Sequence, residues 1–224
     1  MNRIQLLWLI ALIISLSHLS WATADEADAE SLLREARKAI ASRDLNTAKA
    51  KLDSANAVAA STESKRQVER LEDLLHYVNE FWKSVAAGAA RLQPTEELIV
   101  GETRTAVVEY DGRELVLRVD GRNRRYNHMN LPGKIALTLA QRALKDGDAN
   151  NKVIIGAFLA MDSKGNRQMA AQYWREAQQA GVDVSDLTPE LDVHLHAVVE
   201  VPELTPLMRC ILQPNEWTQL VVNG

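Results

Sequence analysis

Cysteine is nearly absent from this chain. Cys210 is the only one in 224 residues, so no disulfide can close within the chain and the core has to hold without covalent staples. Flanked by Arg209 and Ile211, Cys210 reads as a small apolar side chain, with an intermolecular bridge or reactive thiol as the functional alternative. The familiar catalytic signatures are also missing. There is no Gly-x-Ser-x-Gly elbow, no His-Glu-x-x-His pair and no Cys-x-x-Cys. Leu131-Pro132-Gly133-Lys134 has no earlier glycine at phosphate-loop spacing and no Ser or Thr after the lysine. No cofactor fingerprint is present, so no cofactor is expected.

Long apolar runs are confined to the N-terminus. Asn2-Arg3 supplies a positive start, Ile4 to Leu19 an apolar stretch, and Trp21-Ala22-Thr23-Ala24 a small-x-small boundary before Asp25, Glu26 and Asp28. This order predicts a signal peptide over 1–24, cut after Ala24. The alternative is an uncleaved anchor, for which the apolar core is short. The leader carries one cation, Arg3, and no acid, so its removal takes the net charge from −4 to −5. The expected location is therefore exported, periplasmic or secreted, with no stable membrane insertion after cleavage. Mild acidity gives no pointer to nucleic acid as a partner.

Residues 25–92 show helical periodicity. Ala29, Leu32, Leu33, Ala36 and Ile40 recur at three-to-four spacing, and Ser42-Arg43-Asp44 interrupts them, with Asp44 suited to cap the next helix. Ala48, Leu52, Ala55 and Ala59 mark a second face. Val68, Leu71, Leu74, Leu75, Val78, Phe81, Trp82 and Val85 mark a third. Over 93–131 the period becomes two. Thr105 to Tyr110, Glu114 to Val119 and Arg122 to Asn127 predict three strands, joined by turns at Asp111-Gly112 and Asp120-Gly121. Helical patterning returns over 132–182, where Gly156 allows close packing and Gly181 stops the last helix. The extension 183–224 is divided by Pro202, Pro206 and Pro214 and fits either a helix opened by Thr188-Pro189 or a strand. The fold class expected is α+β, predominantly α, with helical hairpins flanking a three-stranded antiparallel β insert.

Asn166-Arg167-Gln168-Met169-Ala170 leading to Trp174 and Ala177 repeats the spacing of Asp44 to Ala48 leading to Leu52 and Ala55. This pattern resembles the second helix of a tetratricopeptide-type hairpin, which implies a scaffold that binds other proteins. Ala106-x-Val108, Leu115-x-Leu117-Arg118 and Gly121 resemble an SH3-like small barrel. Phe81-Trp82, the strands, and Trp174 to Asp183 together resemble uncharacterised exported bacterial proteins, a group that implies no activity.

Three candidate sites remain. Between residues 103 and 127, Arg104, Arg113, Arg118, Arg122, Arg124 and Arg125 outnumber Glu109, Asp111, Glu114 and Asp120. Strand alternation places Arg122, Arg124 and Tyr126 on one side, a grip suited to an anionic polymer or a carboxylate-bearing partner. The plain alternative is a solvated face whose arginines pair across the strands. His194 and His196, with Asp192 beside them, share a face only if that segment is a strand. They are a weak metal pair and the basis of a competing reading as an envelope hydrolase. Trp82 and Trp174, beside Phe81 and Tyr173, read as core, the alternative being a sugar-stacking platform. The function these features favour is a non-catalytic interaction or scaffold protein of the cell envelope, with other envelope proteins as partners.

Overall fold

The computed structural model describes residues 26–100, 103–145 and 147–193. The chain divides into two units, Met1–Pro189 and Glu190–Gly224. The predicted leader, His194, His196 and Cys210 lie outside the described residues.

In the first unit, residues 26–41 form α1, with Ala29, Leu33, Ala36 and Ile40 buried along one stripe. The chain reverses through Arg43, whose φ of 68° is left-handed. Asp44 then caps α2 (Leu45–Val58), its carboxylate accepting from the Thr47 N–H at 3.1 Å. Ser61 caps α3 (Thr62–Ala89) in the same way. Lys51 of α2 reaches Glu35 of α1, and Lys49 of α2 approaches Glu72 of α3, so consecutive helices run antiparallel. At the far end of α3, a Cβ on Gly88 would stand 1.9 Å from the Leu139 carbonyl oxygen. Glycine there lets α4 (Gly133–Ala143) lie backbone to backbone on α3.

The last two helices of the unit form a tight pair. Asp148 caps α5 (Ala149–Met161) and Asn166 caps α6 (Arg167–Gln179). Lys152 pairs with Glu176, and the Trp174 indole N–H donates to the Val153 carbonyl at 3.2 Å, which makes the pair antiparallel. Trp174, Ala170 and Ala177 are buried, as the small-large-small spacing predicts. Phe81 of α3 stacks on Phe158 of α5, ring centres 3.8 Å apart and planes 6° from parallel. Gly181, at φ 92°, ends the helix, and Val184 and Leu187 are buried beyond it.

The described residues are mostly helical with one antiparallel sheet, whose four strands run in the order β1-β2-β3-β4. These are β1 (Glu97–Val100), β2 (Thr103–Tyr110), β3 (Leu115–Val119) and β4 (Arg122–Tyr126). The expectation of three strands is corrected by β1. Four residues are too short a run for alternation to be told from a loop, but Leu98 and Val100 are buried and paired with β2. Asp120-Gly121 turns with both residues at positive φ, 51° and 75°, as the dipeptide predicts. At Asp111-Gly112 only the glycine is left-handed, and the Asp111 carboxylate accepts from the N–H groups of Arg113 and Glu114 instead.

In the second unit, Glu190–Val193 forms a single helical turn, α7.

Candidate functional site

A bulge in β2 determines which side chains face the helices. Val107 is opposite Leu117, but Glu109 is opposite Val116, so one extra residue lies between them. Simple alternation from Val107 would send Tyr110 outward. The bulge turns it to the inner face, in one row with Leu115 and Tyr126. Leu98, Val100, Thr105, Val107 and Leu117 share that inner face and are buried.

This row forms one wall of a first cleft of about 860 Å³. Trp82 of α3 lies opposite, with Asn79, His128 and Met129 around it. Trp82 is only half-buried, so the expectation that it is core is corrected, whereas Trp174 is core. Its indole N–H is buried without an acceptor among the described residues. Burial of this kind costs about 1–3 kcal/mol.

Arg43 holds the cleft in place. Its guanidinium sits 4.9 Å from the Trp82 ring centre, pairs with Asp162 at 2.8 Å, and donates to the carbonyls of His128 and Leu131, each at 2.8 Å. The 128–131 segment is thereby tied to the α1–α2 turn and to the end of α5. Tyr110 has its hydroxyl pushed above the ordinary phenol value by burial and then by the Asp111 carboxylate. Asp111 itself is held low by the backbone N–H groups it accepts from. The remaining charges at the wall, Arg113 and Glu114 among them, are of both signs.

Tyr126 also borders a second cleft of about 940 Å³, between the inner face of the sheet and α4, α5 and the α5–α6 corner. Its wall is apolar, with Val119, Ile135, Phe158 and Leu159, and its described lining holds Lys134 and Lys164 but no carboxylate.

The arginines divide by face. Arg125 is on the outer face with Glu109 and Glu114, which its guanidinium approaches to 3.9 and 3.4 Å. Arg104 approaches Glu97 on the same side. These are the cross-strand pairs of the plain reading. Arg122 pairs in register with Val119, and Arg124 with Leu117, so both share the inner face with Tyr126. Both are exposed and have no ion pair among the described residues. The reading from alternation thus places these three residues correctly in space.

Among the described residues no group of three His, Cys, Asp or Glu side chains could hold a metal ion, and no helix is long and apolar enough to cross a membrane. Sequence reasoning passed over Arg43, Tyr110 and His128. The signal for Arg43 was a cation, not a glycine, in an interhelical turn. Tyr110 was hidden by the bulge. Compared with known proteins, the chain matches no family model, no curated protein and no solved structure.

Proposed function

We propose that this chain is an exported, non-catalytic interaction protein of the cell envelope that engages a protein partner through the first cleft. The observation that carries the reading is the first cleft, lined by Trp82, Tyr110 and Tyr126, with the buried, ion-paired Arg43 against the Trp82 ring. Rigid aromatic side chains with polar tips give large contact area at low entropic cost and dominate the binding energy of protein interfaces. The mixed charge of the rim selects no highly charged polymer, and favours a peptide segment with both apolar and hydrogen-bonding groups. The antiparallel α5–α6 pair, closed on Ala170, Trp174 and Ala177, supports a scaffold of tetratricopeptide type.

The test compares captures by the exported chain and by a Tyr110→Ser/Tyr126→Ser variant from the envelope fraction, after cross-linking. A partner retained by the first and lost by the second, at unchanged melting temperature, is the expected result. Identical captures by both proteins would overturn the proposed site. Export is tested separately, by sequencing the N-terminus of the exported chain. Asp25 is expected as its first residue, and an intact Met1 in the membrane pellet would show an anchor instead.

A further inference from the structure

The second cleft goes beyond the partner-binding reading, and its chemistry is different. Its wall is apolar on both sides, the sheet contributing Val119 and the helices Ile135, Phe158 and Leu159. Its volume falls within the range of about 300–1,000 Å³ usual for small-ligand sites. Every formal charge on its described lining is positive. Neither the Lys134 nor the Lys164 ammonium has an ion pair among the described residues.

Two further cations lie on the same face. Val119 and Tyr126 line the cleft, and beside them on the inner face Arg122 stands opposite Val119 and Arg124 two residues from Tyr126. No acid among the described residues neutralises either arginine, whereas Arg125 and Arg104 on the outer face of the sheet both approach carboxylates.

Lys134 stands in the first turn of α4, which has no acid, and Pro132 gives the helix no side-chain cap. A cation there opposes the helix dipole, because the N-terminal end already carries partial positive charge. Such a placement raises the local positive potential rather than stabilising the helix. An apolar cleft with an unneutralised cationic mouth is complementary to one kind of molecule: an apolar chain ending in an anion.

We infer that this cleft binds a single-chain anionic amphiphile, its acyl chain between the sheet and α4–α5 and its headgroup held by Lys134, Lys164 and Arg124. Guanidinium and ammonium groups hydrogen-bond a carboxylate directly, and the low-dielectric wall beside them strengthens the contact. The acyl chain supplies the remaining affinity, about 0.8 kcal/mol for each buried CH₂.

The experiment titrates the full chain with hexadecanoate, below its micelle-forming concentration, by calorimetry and native mass spectrometry. One equivalent is expected to bind. Its methyl ester, which keeps the chain and loses the charge, is expected to bind at least about tenfold more weakly, the loss of one charge-assisted hydrogen bond. Lys134→Gln/Arg124→Gln is expected to weaken hexadecanoate by a similar factor at unchanged melting temperature. Shorter alkanoates are expected to lose about fourfold in affinity for each methylene no longer buried.

Equal binding of acid and ester would overturn the cationic headgroup site. Acetate, inorganic phosphate or an acidic polysaccharide competing as well as hexadecanoate would show that charge alone is read, and would overturn the acyl site. A dimer in light scattering that hexadecanoate does not dissociate would mean that a second copy fills the cleft. Tyr126 borders both clefts and Tyr110 only the first, so Tyr110→Ser alone separates the two readings: it should lose the captured partner and still bind hexadecanoate.

Discussion

Arg43 and Asp162, 119 positions apart, form a buried ion pair with Nε 2.8 Å from Oδ2. The same guanidinium donates to three backbone carbonyls of the 128–131 segment and lies over Trp82. One side chain therefore joins the first helical turn, the exit from the sheet and the α5–α6 corner. Asp162 also accepts from the Lys164 N–H, which fixes the corner that the arginine holds.

Removing either partner leaves the other charge buried and unpaired, which costs about 3–5 kcal/mol. Arg43→Ala and Asp162→Ala are each expected to lower stability by that order in urea unfolding. Because the two share a network, the double variant is expected to cost much less than the sum of the singles. Additive losses would show that the pair is not coupled. Arg43→Ala is also expected to release Trp82, read as a red shift of its fluorescence.

Much of the helical architecture was legible in the sequence, because its causes are local. Asp44, Ser61, Asp148 and Asn166 each accept from a backbone N–H at a helix start. The spacing of Ala170, Trp174 and Ala177 marks a buried face without any tertiary information. The face containing Arg122, Arg124 and Tyr126 followed from strand period alone. The cleft was not legible, because it depends on events between segments. The β2 bulge reverses the parity of Tyr110, and the partner of Arg43 is more than a hundred residues away. A four-residue strand such as β1 is defined by its pairing rather than by its own pattern.

Gly156 and Trp174 predict a packing limit. A Cβ on Gly156 would stand 2.3 Å from the indole nitrogen and 2.4 Å from Cδ1, far inside contact distance. Gly156→Ala must push the indole away and break its hydrogen bond to Val153. Overpacking costs about 1–3 kcal/mol, and the lost hydrogen bond adds about 1 kcal/mol. A fall in melting temperature of several degrees is expected, and Trp174→Phe, being smaller, is expected to recover part of it in the Gly156→Ala background. A neutral Gly156→Ala would show that α5 and α6 are not in such close contact.

The acid limb of stability has a definite sign. Glu35 is held below its ordinary value of 4.5 by its hydrogen bond to Lys51. Glu96 is lowered by the Gln93 N–H and then by Arg142, and Glu176 by Lys152 and then by Gln172. Each folded-state carboxyl therefore binds its proton later than the unfolded one as pH falls. Their contribution is complete above about pH 4.5 and is lost as pH drops through the lowered folded values. Urea midpoints are expected to stay flat from pH 7 to 5 and fall below that. Glu176→Gln should flatten part of that fall, and an unchanged slope would show that the Lys152 pair contributes nothing.

The last prediction concerns β4, which is an edge strand of the described sheet. An open edge offers unpaired backbone groups to another chain, and charged residues are a common means of discouraging this. Arg122 and Arg124 have no ion pair among the described residues, so their removal takes away no folded-state contact of that kind. Arg122→Ala/Arg124→Ala is expected to leave the melting temperature at low concentration within about 1 kcal/mol equivalent of the parent. Arg125→Ala should cost more than either single change, since it removes the approaches to Glu109 and Glu114 above the buried Val116. At high concentration the double alanine variant should associate, read by light scattering, because the edge is no longer charged on its inner side. Arg122→Lys/Arg124→Lys separates edge protection from ligand recognition. Lysine keeps the charge and should restore the monomer, but it lacks the planar fork that grips a carboxylate through two parallel hydrogen bonds. A lysine variant that stays monomeric and binds hexadecanoate less tightly would assign both roles to these arginines. One that binds it as the parent does would show that the headgroup reads positive charge at this edge and not the planar fork.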